Sequence, residues 1–163
     1  MLKVIDKALM DGISIKAEDS FRKRSHYNMH ETLEDGIHRL CVGFEPGTYV
    51  RPHRHYKDNK WELQIILRGR LLAVVFDDEG VIIDKKILEA NGDIKAIEFQ
   101  ADCWHTMVSL EPGTMTIEVK AGPYQKPDPE DLASWAPEEG EIGCTEMIAE
   151  FIDLPIGDKV RAL

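Results

Sequence analysis

Residues 47–69 read GTYVRPHRHYKDNKWELQIILRG, a stretch with two histidines at alternate positions and a glutamate after them. Residues two apart on a β-strand point to the same face, so the rings of His53 and His55 can reach one ion. Glu62 offers a carboxylate, and His105 adds a third imidazole much later in the chain. Such ligands suit Fe(II), Mn(II), Ni(II) or Zn(II). The residues predict a mononuclear divalent metal site formed by His53, His55, Glu62 and His105.

Short β-branched and apolar runs extend on both sides of this stretch, over residues 37–121. Turn dipeptides separate them, at Pro46-Gly47, Arg68-Gly69, Glu79-Gly80, Asn91-Gly92 and Pro112-Gly113. Regular turns of this kind are typical of antiparallel meanders. The runs between them are IHRLCVGF, TYVRPHRH, WELQIILR, LLAVVFDD, VIIDKKIL, DIKAIEF, WHTMVSL and TMTIEVKA. Eight strands in this order predict an all-β fold, either a small barrel or a double-sheet jelly roll.

The flanks of this core differ from it in composition. Residues 1–36 are polar and partly helical in pattern, which predicts an arm packed across the outside or the end of the barrel. Residues 122–163 hold many prolines and acids, so they are expected to run as ordered loop before a short helix near residues 145–153. No linker or repeat interrupts the chain, and residues 1–163 are expected to form a single domain.

The net charge of the chain and the length of its apolar runs limit which partners and locations are expected. The 163 residues include 30 acidic and 20 basic side chains, and the formal charge of -10 opposes binding to nucleic acid or anionic membrane. No apolar run is long enough for a signal peptide or a membrane span, which favours a cytoplasmic protein. Cys41, Cys103 and Cys144 are odd in number and scattered, which argues against a disulfide framework. A small molecule is the expected partner.

The spacing around the first two histidines resembles the first motif of the cupin superfamily. Gly47, His53, His55, Glu62 and Gly69 occupy its places, although six residues between His55 and Glu62 imply a longer turn, YKDNKW, than the family usually has.

The second cupin motif is weaker in this chain. Gln100 and Asp102 stand where a proline and a glycine are usual, and Ser109 replaces an asparagine, but His105 remains. The resemblance implies a cupin-type double-stranded β-helix, or jelly-roll barrel, around the metal.

Flanking motifs narrow the resemblance to the WbuC family of cupin-fold metalloproteins. They are FRKRSHYNMHE, YVRPHRH, LRGRLLAVVFDDEG, EVKAGPY and WAPEEG, and they span nearly the whole chain. That family is associated with surface-polysaccharide gene clusters, and no reaction is firmly attached to it. The resemblance therefore implies the fold and a bound metal, but it does not identify a substrate.

Strand parity extends the site to a predicted substrate-binding wall. Its members share a face with a ligand, and they are Tyr49, Arg51, Gln64, Cys103 and Met107. Arg51 could clamp a carboxylate or phosphate, or it could lie at the barrel mouth and pair with an acidic loop. Tyr49 is the candidate catalytic base. Cys103 is either a thiol close to the metal or an inert buried cysteine.

A basic cluster precedes the barrel, with Arg22, Arg24, His26 and His30. These side chains could reach over the opening and add positive charge to a site for an anion. A solvated face that balances an acidic protein is the simpler interpretation.

Three functional hypotheses fit these residues. The first is an enzyme with open metal positions, either an isomerase or epimerase of a sugar or small hydroxy or keto acid, or a dioxygenase if iron binds. The second is a non-catalytic module that binds a small ligand or uses the metal to stabilise the fold. The third, compatible with both, is a homodimer formed through sheet edges.

Overall fold

The computed structural model describes residues 2–55 and 60–161. An N-terminal helix, α1 (Lys7–Asp19), is followed by eight strands, and a second helix, α2 (Cys144–Asp153), lies near the C-terminus. The strands are β1 (Arg24–Asn28), β2 (Ile37–Phe44), β3 (Glu62–Arg68), β4 (Arg70–Phe76), β5 (Ile82–Glu89), β6 (Ala96–Phe99), β7 (Trp104–Ser109) and β8 (Thr114–Ala121). A 3-10 turn covers Pro129–Asp131.

The strands form two antiparallel sheets. The larger has the order β1-β2-β8-β3-β6, and the smaller has the order β5-β4-β7. Strands distant in sequence are neighbours in both sheets, as in a double-sheet jelly roll. This confirms the predicted all-β cupin-type fold with a partly helical N-terminal arm and a short C-terminal helix.

Apolar side chains pack in layers that follow strand alternation. Between the sheets lies an interior cluster that includes Phe44, Ile66, Leu71, Leu88 and Phe99. The opposite face of β4 and β7 packs against the C-terminal segment and α2 in a second cluster. On the larger sheet, Ile13 of α1 packs against Cys41 and Met115. Each sheet therefore has one face covered by a segment from outside the barrel.

Two predicted features differ from the structure. The run TYVRPHRH was expected to be a strand, but residues 48–55 form only isolated bridges at His53, to His105 and Leu132. Pro52 offers no backbone N–H, which disfavours a regular ladder there. The N-terminal arm contains a strand, β1, which pairs with β2 at the edge of the larger sheet.

Other expectations concern the turn before β3 and the cysteines. Residues 56–59 of the predicted long turn YKDNKW lie outside the described residues. All three cysteines are free thiols, as their spacing predicts. Among the described residues, no helix is long and apolar enough to cross a membrane.

Candidate metal centre

The four predicted ligands meet at one point of the barrel. His53, His55, Glu62 and His105 each offer one donor atom, and these atoms all lie within 4.8 Å of one another. Glu62 begins β3 in the larger sheet, and His105 lies on β7 in the smaller one. His53 is tied to β7 by two backbone hydrogen bonds with His105, of 3.0 and 2.9 Å. The donors therefore come from both sheets.

Backbone carbonyls fix the orientation of two imidazoles. The Nδ1 of His53 lies 3.1 Å from the carbonyl of Arg51, and the Nδ1 of His105 lies 2.8 Å from that of Cys103. A nitrogen beside a carbonyl donates its proton there, which leaves Nε2 with a free lone pair, as in metal-binding histidines. The Nε2 of His105 is buried, and among the described residues it has no hydrogen-bond partner. A metal ion would satisfy this atom. The four residues therefore fit the divalent metal that the cupin resemblance implies.

The protonation of the ligands also suits a metal. Burial lowers the pKa of His105 to about 4. Burial and the neighbouring imidazoles hold the pKa of His53 well below its ordinary value. Burial alone would raise the pKa of Glu62, but Lys120 and His55 outweigh it and hold this pKa well below the usual range. Neutral imidazoles and an ionised carboxylate are the forms that bind metal.

Behind Glu62 lies a polar network from β3 and β8. In the strand register, Glu62 faces Lys120 and Gln64 faces Glu118. The Nε2 of Gln64 donates to Glu62 Oε1 at 2.8 Å and to Glu118 Oε2 at 3.1 Å. The Nζ of Lys120 lies 3.7 Å from Glu62 Oε2 and also pairs with Glu118. This network fixes the orientation of the Glu62 carboxylate.

Glu118 and Lys120 were missed by the sequence analysis, although a signal existed. The predicted strand 114–121 carries a threonine, a threonine, a glutamate and a lysine at alternate positions, as Thr114, Thr116, Glu118 and Lys120. Two charges on the inner face of a strand point to a polar site within the barrel. The predicted wall was confined to the runs that carry the four ligands, and this strand carries none of them.

A cavity of about 410 Å³ opens beside the ligands. Of the predicted wall, Arg51 and Met107 line it, together with His53 and Glu62. Arg51 also donates to the carbonyl of Ala133, with its Nη2 at 2.9 Å, and lies 3.5 Å from the Glu138 carboxylate. Arg51 thus lines the cavity and also pairs with the acidic side chain of Glu138.

Gln64 and Cys103 lie next to the ligands but outside the cavity lining. Gln64 is completely buried beside Glu62. The thiol of Cys103 packs against the interior apolar cluster, and its carbonyl orients His105. Burial and the charge of Asp102 raise the pKa of this thiol, so the inert alternative describes it better.

The structure places Tyr49 away from the metal ligands, which corrects its assignment as a base. Its ring stacks on Phe151 of α2, and its hydroxyl donates to the Pro137 carbonyl at 2.9 Å. Burial raises the pKa of Tyr49 above its ordinary value, so the hydroxyl keeps its proton and is not available to accept another. The prediction for Tyr49 assumed that side chains alternate between two faces, as on a regular strand. Residues 48–55 do not form a regular strand, so Tyr49 and His53 do not share a face.

Part of the basic cluster reaches the cavity. Arg22, Arg24 and His26 line it, and the Arg24 side chain is only 16% exposed. His30 lies elsewhere, stacked on His38 at a ring-centroid distance of 4.1 Å. The simpler interpretation, a solvated face, therefore does not describe Arg24.

Residues 5–88 match the model of a family described as a domain of unknown function, DUF6016. The chain belongs to this family. The matched region includes β1 to β4 and three of the four candidate ligands, and it ends before His105. No curated protein matches the chain.

Several solved structures resemble this one. A conserved protein of unknown function from Streptococcus pyogenes, SPY1581, is 11% identical with a TM-score of 0.51, and the match covers 77% of this chain and 91% of that one. KdgF from Halomonas sp. is 22% identical with a TM-score of 0.48, over 63% and 81% of the two chains. The cupin domain of Schizosaccharomyces pombe Cnp3 is 10% identical with a TM-score of 0.46, over 61% and 64%. At these identities the likeness concerns the fold alone.

Proposed function

We propose that the protein is a cupin-fold metalloprotein that holds one divalent ion, Fe, Mn, Ni or Zn, and binds a small anionic or sugar-like molecule beside it. The buried Nε2 of His105 carries this proposal, because it has no partner among the described residues and lies with three other donors within 4.8 Å. Leaving such an atom unsatisfied costs about 1–3 kcal/mol, which a bound ion would offset.

The cavity supports a small ligand. Its volume of about 410 Å³ lies toward the lower end of the range for small-molecule sites, roughly 300–1,000 Å³. Its charged lining has four permanent cations and three carboxylates, namely Arg22, Arg24, Arg51, Lys120, Glu62, Glu118 and Glu139. Because Glu62 would be neutralised further by the metal, the remaining field favours an anion.

The best-supported reaction is isomerisation or epimerisation of a small hydroxy or keto acid or a sugar. A bound metal supplies Lewis-acid polarisation of a substrate oxygen. The chain contributes Gln64, which orients Glu62, and arginines that can hold an anion. Burial and the negative charge of Glu62 raise the pKa of Glu118. This carboxyl, which lines the cavity, replaces Tyr49 as the candidate to move a proton.

A metabolic role and a homodimer are also proposed. The resemblance to the WbuC family supports a role in surface-polysaccharide metabolism. The edge position of β1 in the larger sheet supports a homodimer formed by pairing of sheet edges. Sedimentation at micromolar concentration tests the dimer, and a monomer there would contradict it.

Elemental analysis of protein purified without added metal tests the proposed function. We expect roughly one ion per chain in the natural protein and a loss of at least tenfold in His105→Ala, since removing a ligand leaves the site incomplete. His26→Ala is the matched control, because His26 lines the cavity without belonging to the donor group. Stoichiometric metal in His105→Ala would refute the assigned centre. Binding assays with sugar nucleotides and small keto acids would then narrow the reaction.

A further inference from the structure

Two arginines that line the cavity, Arg22 and Arg24, bind the carboxylate of Glu139. Arg22 donates from Nε to Glu139 Oε1 at 2.9 Å, and its Nη2 lies 2.8 Å from Glu139 Oε2. Arg24 contacts both oxygens of the same carboxylate, with its Nη2 at 3.1 Å from Oε2. Both guanidinium groups therefore bind the carboxylate with two nitrogens each, which is the geometry of specific carboxylate recognition. All three residues line the cavity that contains His53 and Glu62.

Arg24 lies on a strand of the larger sheet, and Arg22 lies in the turn that leads into it. Arg24 begins β1, its position is set by pairing with Phe44 of β2, and its Nη1 also donates to the Tyr49 carbonyl at 2.8 Å. Burial lowers the pKa of Arg24, although Glu139 opposes this effect. A guanidinium with only 16% of its side chain exposed needs an anionic partner, whichever molecule supplies it.

Glu139, in contrast, lies on a loop. It is followed by Gly140 and Gly143, both with positive φ, of 90° and 100°. Its side chain is 29% exposed, and the neighbouring Glu138 side chain is 72% exposed. Another carboxylate would make the same bidentate contacts with both arginines, so the exchange keeps the charge pairing and loses only the tether of the loop. The tether gives Glu139 an effective concentration of about millimolar, so a competing ligand needs a second contact.

We propose that Arg22 and Arg24 form a carboxylate-binding subsite, that Glu139 occupies it when no ligand is bound, and that the ligand of the metal centre is a small acid whose carboxylate displaces Glu139. The ligand's second contact is an oxygen at the donor group around His105, and this part rests on the proposed function. The arginine subsite itself does not depend on a metal. A neutral sugar has no group to displace Glu139, so hydroxy or keto acids are the favoured class.

Calorimetric titration with malate, a hydroxy acid with two carboxylates, tests the subsite. Glu139→Gln removes the internal competitor, so we expect malate to bind about tenfold more tightly than to the natural protein, in both metal-loaded and chelator-treated samples. Glu141→Gln is the matched control, since it removes the same charge from the same loop without touching either arginine. Inorganic phosphate and sodium chloride at equal ionic strength test whether the site prefers a carboxylate.

The outcomes separate this inference from the proposed function. Equal malate affinity in the natural protein and in Glu139→Gln, or an equal effect of Glu141→Gln, would overturn the subsite even if the protein contains metal. Tighter malate binding by Glu139→Gln in a protein that never binds metal would support the subsite and refute the metal centre. Binding of phosphate in preference to malate would overturn the assignment to carboxylic acids.

Hydrogen exchange of the natural protein provides a test that needs no variant. If malate displaces Glu139, the amides of residues 138–142 should exchange faster in the presence of saturating malate than without it. Unchanged or slower exchange in this segment would overturn the displacement.

Discussion

At the scale of single residues, the site depends on imidazoles that stay neutral when buried. His105 is 1% exposed, with one ring nitrogen on a carbonyl and the other without a partner among the described residues. The sequence identified this residue by its type and spacing. The orientation of its ring depends on the carbonyl of Cys103, which no side-chain pattern reveals.

This burial predicts how the stability of the metal-free protein changes with pH. The pKa of His105 is about 4 in the folded protein against 6.5 ordinarily, so between these values the unfolded chain binds more protons than the native one. The free energy of unfolding should therefore fall as the pH is lowered from about 6.5 to about 4, by up to roughly 1.4 kcal/mol per pH unit for this group. Urea unfolding of chelator-treated protein at pH 7 and pH 5 measures the change.

The control for this pH effect is His105→Gln, which removes the titrating group. Its stability should fall less between pH 7 and pH 5 than that of the natural protein. Identical losses in the two proteins would show that His105 does not titrate as its burial predicts.

At the scale of elements, turns set which strands meet. Gly69 joins β3 to β4 with a φ of 73°, and this turn passes the chain from the larger sheet to the smaller one. The Arg68-Gly69 pair was recognised in the sequence as a turn. The close approach of Thr114 to this glycine was not, since it depends on the neighbouring end of β8.

Replacing Gly69 by alanine should destabilise the fold. The added Cβ would lie 2.5 Å from Thr114 Oγ1 and 2.9 Å from Thr114 Cα, and the positive φ is unfavourable for alanine. We expect a loss of about 2–4 kcal/mol in the free energy of unfolding, measured in urea. Gly12→Ala, in α1 with nothing within 4 Å of the new Cβ, should instead stabilise by about 0.5–1 kcal/mol. A neutral Gly69→Ala would contradict the close approach.

At the scale of the whole molecule, the C-terminal segment covers the smaller sheet and helps to position the site. Ala133 donates its N–H to Pro52 at 2.9 Å and accepts from Arg51, so this segment runs beside the residues that lead into His53. α2 then packs Phe151 against Phe76 and Tyr49, at ring-centroid distances of 5.4 and 6.4 Å.

Phe151 anchors this packing and provides a test of it. The side chain is completely buried, and Phe151→Ala should lower the free energy of unfolding by about 3–5 kcal/mol because it leaves a cavity. The next residue, Ile152, is 42% exposed, and Ile152→Ala should change stability by no more than about 0.5 kcal/mol. Thermal or urea unfolding measures both variants. Similar small effects would show that α2 is not part of the cooperative core.

Local sequence patterns were sufficient to predict the class of fold and the four candidate ligands. Turn dipeptides and β-branched runs report local backbone preferences, and the spacing of His53, His55 and Glu62 lies within one local stretch. Strand β1 escaped prediction because an edge strand with polar side chains lacks the alternation of a buried one.

The residues that surround the ligands, in contrast, are set by contacts between distant parts of the chain. Pro52 interrupts the expected strand, so Tyr49 turns into the core and not into the cavity. The register of β3 on β8 brings Lys120 and Glu118 beside Glu62, and β1 brings Arg24 to Glu139. These contacts join residues far apart in the chain, and their partners are set by sheet register and packing, which local sequence does not encode.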